Sequence, residues 1–225
     1  MAFFQRKGGI VKRQFGWKPR HDNRSRAFAL DPALAGLQRR TMRWACNLYL
    51  DQYDDPACTG FAVCHEAAAE PFPVPNLTAP HALALYQRAK ELDQWPGEDY
   101  DGSSVLGAMK AAKEKGWYEE YRWAFSENDL ALAIGYLGPA VLGIPWTEGM
   151  MEPRSNGVIR ASGAALGGHA ILCVGYDAAT KLYRLHNSWG IGFGLFGDVL
   201  IPADDLTSLL KDGGEACIPT IRAGC

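Results

Sequence analysis

Long apolar runs are missing from this sequence. No stretch of about 18 apolar residues is present to span a bilayer, and the opening Met-Ala-Phe-Phe-Gln-Arg-Lys lacks the apolar core of a secretory signal. Cysteines are few, at 46, 58, 64, 173, 217 and 225, and none form a C-x-x-C pair. That excludes a disulfide-built scaffold and leaves reduced thiols in a cytoplasmic setting as the expectation. Zinc-ligand spacings are absent around Cys58, Cys64, His65, His169 and Cys173. Gly192-Phe-Gly194-Leu-Phe-Gly197 matches a dinucleotide fingerprint, but a strand ending at Pro202 follows it where a helix is needed. No metal or cofactor is therefore expected. Internal repeats and low-complexity tracts are also absent, and the sequon Asn76-Leu77-Thr78 matters only in a secreted protein.

What is present suits a folded enzyme-sized domain. The 225 residues are 48% hydrophobic, enough for one core or for two lobes sharing an interface. Net charge is -2 but unevenly spread, because residues 1–26 hold eight Arg and Lys against Asp22 alone. A basic arm over residues 1–40 is expected as a solvated tail or a surface strap, and the charge of residues 1–26 suits contact with nucleic acid, an acidic partner or the protein's own acidic face. The folded domain then spans 41–225, with a helical lobe over about 41–125 and a β lobe over about 126–225.

Cys58 to Glu70 reads as a buried Ala-rich helix stopped by Pro71, Pro73 and Pro75. Helices are also expected over His81–Gln94, over Ser104–Lys115 with Gly116 as its stop, and from a Ser126/Asp129 capping pair to Leu137. Short apolar or alternating runs at Ala140–Trp146, His169–Tyr176, Lys181–Asn187 and Gly197–Ile201 read as antiparallel strands. Helices first and strands afterwards predict an α+β protein with a cleft between its lobes.

Cys58 stands where the Asp54-Asp55-Pro56 loop enters a helix, and the positive end of a helix dipole favours thiolate there. A thiolate nucleophile needs a histidine as partner. His65 lies about 10 Å further along the same helix, His186 and Asn187 point to opposite faces of a strand, and His21 and His81 lie in the arm and at a helix start. His169 begins an apolar strand after Gly167-Gly168, where a side chain can emerge beside a cleft.

The block Gly168-His169-Ala170-Ile171-Leu172-Cys173-Val174-Gly175-Tyr176-Asp177, followed by Asn187-Ser188-Trp189-Gly190-Ile191-Gly192-Phe193-Gly194, resembles the histidine strand and Asn-Ser-Trp-Gly segment of papain-like cysteine peptidases. Gln52, six residues before Cys58, and the helix after Cys58 are similar to the same family. Asp101-Gly102-Ser103-Ser104 resembles its glycine ridge more loosely. The resemblance implies a papain-like fold, with Cys58 as nucleophile, His169 as base and then acid, and Asn187 orienting the imidazole under the cover of Trp189. Gln52 and the Cys58 N–H would receive the oxyanion. It also implies substrate contacts at Gly102, Ser103, Ala170 and Trp189.

Two features depart from that pattern: Pro56-Ala57-Cys58-Thr59 lacks the family's half-cystine and the tryptophan after the nucleophile, and the spacings to His169 and Asn187 are short. The 57 residues before Cys58 are fewer than a long inhibitory proregion needs, and the compact form resembles bacterial or phage-encoded members. The activity expected is cleavage of a polypeptide through an acyl-enzyme thioester. The alternatives are a catalytically silent binding or virion module on the same fold, and a Cys-His amidase or transferase.

Overall fold

A computed structural model describes residues 2–6, 9–20, 22–93 and 100–222; His21, Gln94 and Cys225 lie outside them. Strands β1 (Ala2–Arg6) and β2 (Gly9–Arg13) pair antiparallel. Two 3-10 turns follow, at Asn23–Phe28 and Pro32–Gly36, the second capped by Asp31, whose side chain accepts from the Ala33 N–H. The short β3 (Met42–Arg43) leads through Trp44 to the loop before α1 (Cys58–Ala67).

All ten residues of α1 are buried, which explains its lack of an amphipathic stripe. It ends earlier than its composition predicts, because Ala69 pairs with Cys46 and the Glu70 N–H donates to the Ala45 carbonyl. α2 (Ala79–Leu92) starts at a Thr78/His81 capping box with Pro80 in its first turn. α3 (Val105–Glu114) is capped by the Ser104 hydroxyl, which accepts from the Gly107 N–H at 2.9 Å. Phe61, Leu85 and Met109, all fully buried, belong to the apolar cluster of this helical lobe.

The second lobe holds β4 (Tyr118–Ala124), α4 (Glu127–Tyr136) with Ser126 as its cap, β5 (Ala140–Thr147), β6 (Ala165–Asp177), β7 (Leu182–His186), β8 (Asp198–Pro202), α5 (Ala203–Lys211) and β9 (Glu215–Arg222). The sheet is antiparallel in the order β4-β9-β5-β6-β7-β8, with β3 paired to β6. Ala203, Leu206 and Leu209, three apart, turn one face of α5 inward. β4, α5 and β9 are additions to the elements legible in the sequence.

β6 joins the two lobes. Its alternation sends Ala170, Leu172 and Val174 into the helical cluster and Ile171 and Cys173 into the cluster beneath the sheet. Its pairing with β5, Ile144 opposite His169 and Gly143 opposite Ala170, sets the depth at which His169 meets the cleft. Among the described residues, no helix is long and apolar enough to cross a membrane.

Candidate active site

Cys58 is the first residue of α1, and Ala57 at the cap supplies no side-chain oxygen. The dipole end of the helix is left for the thiol itself. The Ala170 N–H donates to Cys58 Sγ at 3.3 Å, so β6 brings the strand residue after His169 onto the nucleophile. His169 Nε2 donates to Asn187 Oδ1 at 2.8 Å, and the same oxygen accepts from the Ser188 N–H at 2.8 Å. With its proton on Nε2, the neutral imidazole keeps a lone pair on Nδ1, a buried atom without a hydrogen-bond partner. The Trp189 ring lies 5.0 Å from the imidazole and that of Trp146 4.9 Å, so aromatic faces close off the His169–Asn187 bond from water.

Gln52 is buried and held at both ends. Its Oε1 accepts from the Ser188 hydroxyl at 2.6 Å, and its Nε2 donates to the Asp55 carbonyl at 2.8 Å and to the Gln14 carbonyl at 3.3 Å. A backbone bond from the Gln52 N–H to the Ser188 carbonyl ties the loop before α1 to the segment after Asn187. Gln52 and Cys58 before and at the start of α1 are thus brought to one cleft with His169 and Asn187 of the distant sheet lobe. His65 and His186 point elsewhere. His186 bonds Asp198 Oδ1 at 2.7 Å and the Leu48 carbonyl at 2.8 Å, and its ring meets that of His65 at 4.7 Å.

The reading of the N-terminal arm as a surface feature does not extend to residues 13–18. This segment runs through the cleft. The Trp17 N–H donates to the Gly168 carbonyl, the Ser103 N–H to the Gly16 carbonyl at 2.7 Å, and the Lys18 N–H to the Ser103 carbonyl, a parallel pairing along the ridge. The Gly16 N–H is among the backbone groups that favour the Cys58 thiolate. Phe15 meets the rings of His169 and Trp189 edge-on. The buried Arg13 pairs with Asp51 at 2.5 Å and donates to the Trp189 carbonyl, while Arg20 pairs with the buried Asp93 at 3.0 Å. Charge pairs at both ends and aromatic burial between them hold the strap in place.

Covered in this way, Cys58 and His169 are both 0% exposed, and burial decides their protonation. It pushes the Cys58 thiol up to about 11, against the backbone N–H groups of Ala170, Gly16, Thr59 and Cys58 that favour thiolate. It pulls His169 down to about 4, with the Asn187 bond opposing and the Arg13 charge assisting. With the strap in place, burial opposes the thiolate expected at the helix start and favours the neutral thiol and the neutral imidazole. No group of three or more His, Cys, Asp or Glu that could hold a metal ion occurs among the described residues.

Phe15, Gly16, Trp17, Trp146 and Ser188 were not singled out from the sequence. The one local signal was the run Arg13-Gln-Phe-Gly-Trp-Lys18, two aromatics around a glycine inside an otherwise basic arm.

A helical lobe, an antiparallel sheet lobe and a cleft between them, with a cysteine at the start of the central helix, define a papain-like α+β fold. Solved structures agree. Xylellain, a cysteine protease from Xylella fastidiosa, superposes with a TM-score of 0.70 at 20% identity, covering 96% of this chain and 100% of its own. The digestive procathepsin L 3 of Tenebrio molitor larval midgut gives 0.62 at 17% identity, over 86% of this chain and 74% of its own. Recombinant stem bromelain precursor gives 0.59 at 15% identity, over 86% and 74%. At these identities the likeness concerns the fold. No protein-family model matches the chain. Gamete and mating-type specific protein A of Dictyostelium discoideum is 27% identical over 111 residues, which are 49% of this chain and 24% of that protein. The match therefore spans about a quarter of the length of that relative.

Proposed function

We propose that the chain is a cysteine-type peptidase, seen here in a latent form with residues 13–18 in its cleft. The observation that carries the reading is the His169–Asn187 bond at 2.8 Å, which fixes the imidazole proton on Nε2 and leaves Nδ1 as a base, in the same cleft as Cys58 at the start of α1. Once the strap leaves and water enters, desolvation is relieved. The Cys58 proton then passes to His169 Nδ1, and thiolate and imidazolium stabilise each other.

In this reading the thiolate attacks the carbonyl carbon of a peptide bond, and the developing oxyanion is received by Gln52 Nε2–H, freed from the Gln14 carbonyl, and by the Cys58 N–H. Imidazolium protonates the leaving nitrogen as the C–N bond breaks, giving an acyl-enzyme thioester. Water, deprotonated by His169, then hydrolyses the thioester and restores the thiol. The near end-to-end superposition on the Xylella fastidiosa protease supports assigning the chain to the compact, bacterial or phage-encoded kind.

The test is labelling by a peptidyl epoxide with identification of the modified cysteine, followed by a peptide-library digest read by mass spectrometry. Modification at Cys58 that disappears in His169→Ala, together with digestion, supports the peptidase. Labelling without any digestion would point to an amidase or transferase, and no His169-dependent labelling to a silent module.

A further inference from the structure

Trp17 is more than a plug. The residue is only 5% exposed and belongs to the helical lobe's apolar cluster, which also holds Val105, Val141 and Ala170, and its Nε1 donates to Glu215 Oε1 at 2.8 Å. The walls of this slot are bare backbone. A Cβ on Gly143 would lie 2.1 Å from the indole Nε1, and one on Gly168 would lie 2.6 Å from the indole Cε3. Two glycines therefore leave a gap that a flat ring fills, and a carboxylate stands at its end.

Glu215 opens β9, next to β5, and the backbone N–H of Val105 favours its ionised form. With Trp17 gone, this buried carboxyl loses one of its donors, and a buried acceptor without a partner is costly. An occupant that returns the donor is favoured over one that merely fills the space. Burial and the nearby Asp93 charge raise the carboxyl to about 7.

We infer that the slot between Gly143 and Gly168, floored by Glu215, is a specificity pocket for a tryptophan side chain of the substrate, at the residue adjacent to the one lying on Cys58. Trp17 is its built-in occupant: Gly16 lies against Pro56 beside the nucleophile, and the next residue fills the slot. The inference rests on the peptidase reading and names the side chain that the site selects.

The full-length chain can be tested with epoxysuccinyl peptides carrying Trp, Phe, Leu or Arg next to the epoxide, with the rate of Cys58 modification read by mass spectrometry. The strap slows all four reagents by the same open fraction, so rate ratios report the pocket alone. The Trp reagent should outpace the Phe reagent by roughly tenfold or more, the scale of one lost donor to a buried acceptor. Glu215→Gln keeps an acceptor and should keep most of that ratio. Glu215→Leu and Gly143→Ala should each bring it to within about twofold of unity, by removing the acceptor and by filling the slot. Equal Trp and Phe rates in the parent chain would overturn the inference, as would a Trp preference surviving both Glu215→Leu and Gly143→Ala, or an Arg reagent faster than Trp. If no reagent modifies Cys58 in a His169-dependent way, the peptidase reading itself falls and takes the inference with it.

Discussion

Gly16 lies so close to Pro56, two residues before Cys58, that a Cβ in place of its α-hydrogen would meet the Pro56 carbonyl oxygen at 1.8 Å. No side chain fits at that point of the strap. The closed state therefore depends on a glycine at residue 16, and the dependence can be measured.

Gly16→Ala should open the cleft without unfolding the protein, since the methyl meets rigid backbone and the cheapest relief is for residues 13–18 to lift away. Alkylation of Cys58 by iodoacetamide at neutral pH should rise at least tenfold over the parent chain, a scale set by a clash of about 1.4 kcal/mol or more. Alkylation of buried Cys173 and Cys217 should not change. Equal rates at Cys58 would mean that the strap does not limit access.

Gln52→Ala, introduced into the Gly16→Ala background, should lower peptide turnover by about 10² to 10³, the usual cost of one lost oxyanion donor. Alkylation at Cys58 should stay within a few-fold, because displacement of iodide creates no oxyanion. Surviving turnover would reduce Gln52 to a loop residue bonded to Ser188. A parallel loss of both would indicate a disturbed helix start.

Asn187→Ala removes the acceptor that fixes the His169 tautomer. In the open variant, turnover should fall about 10- to 100-fold, the range found when an orienting partner is removed, with KM nearly unchanged. A fall in stability with kcat intact would assign Asn187 a structural role alone.

Glu215 gives a pH signature of known sign. Its folded value, about 7, lies above the ordinary carboxylate value of 4.5. Its contribution to stability is therefore complete below about 4.5 and is lost as pH rises through 7. The melting temperature of the parent chain relative to Glu215→Gln should fall between pH 5 and pH 8 by several degrees, from a shift worth on the order of 3 kcal/mol. A difference constant across that range would show that the carboxyl titrates normally.

Much of the candidate site was legible because its parts are local. Gln52 and Cys58 share one loop-to-helix turn, and Asn187 and Trp189 share one strand end. The caps at Ser104 and Ser126 announced α3 and α4 in the same way. The strap was not legible, since Trp17 becomes buried only through Ser103, Gly168 and Glu215, and Phe15 half-buried only through His169 and Trp189, all far along the chain. The charge of the arm pointed outward, but Arg13 and Arg20 turn in because Asp51 and Asp93 wait for them. β9 was missed for a related reason: its run Glu215-Ala-Cys-Ile-Pro-Thr-Ile-Arg222 is interrupted by Pro219, whose missing donor argues against a strand until β4 and β5 are seen on its flanks.

The strand β6 holds His169 on one lobe's boundary and pairs residue by residue with β5, so the base and the sheet register cannot be separated. A slip of one residue between these strands would turn His169 to the far face and put Ala170 in its place. Such a chain would still collapse and bury comparable apolar surface, yet it would have no base beside Cys58. Any chain in that register would be counted by absorbance but missed by a titration of active sites.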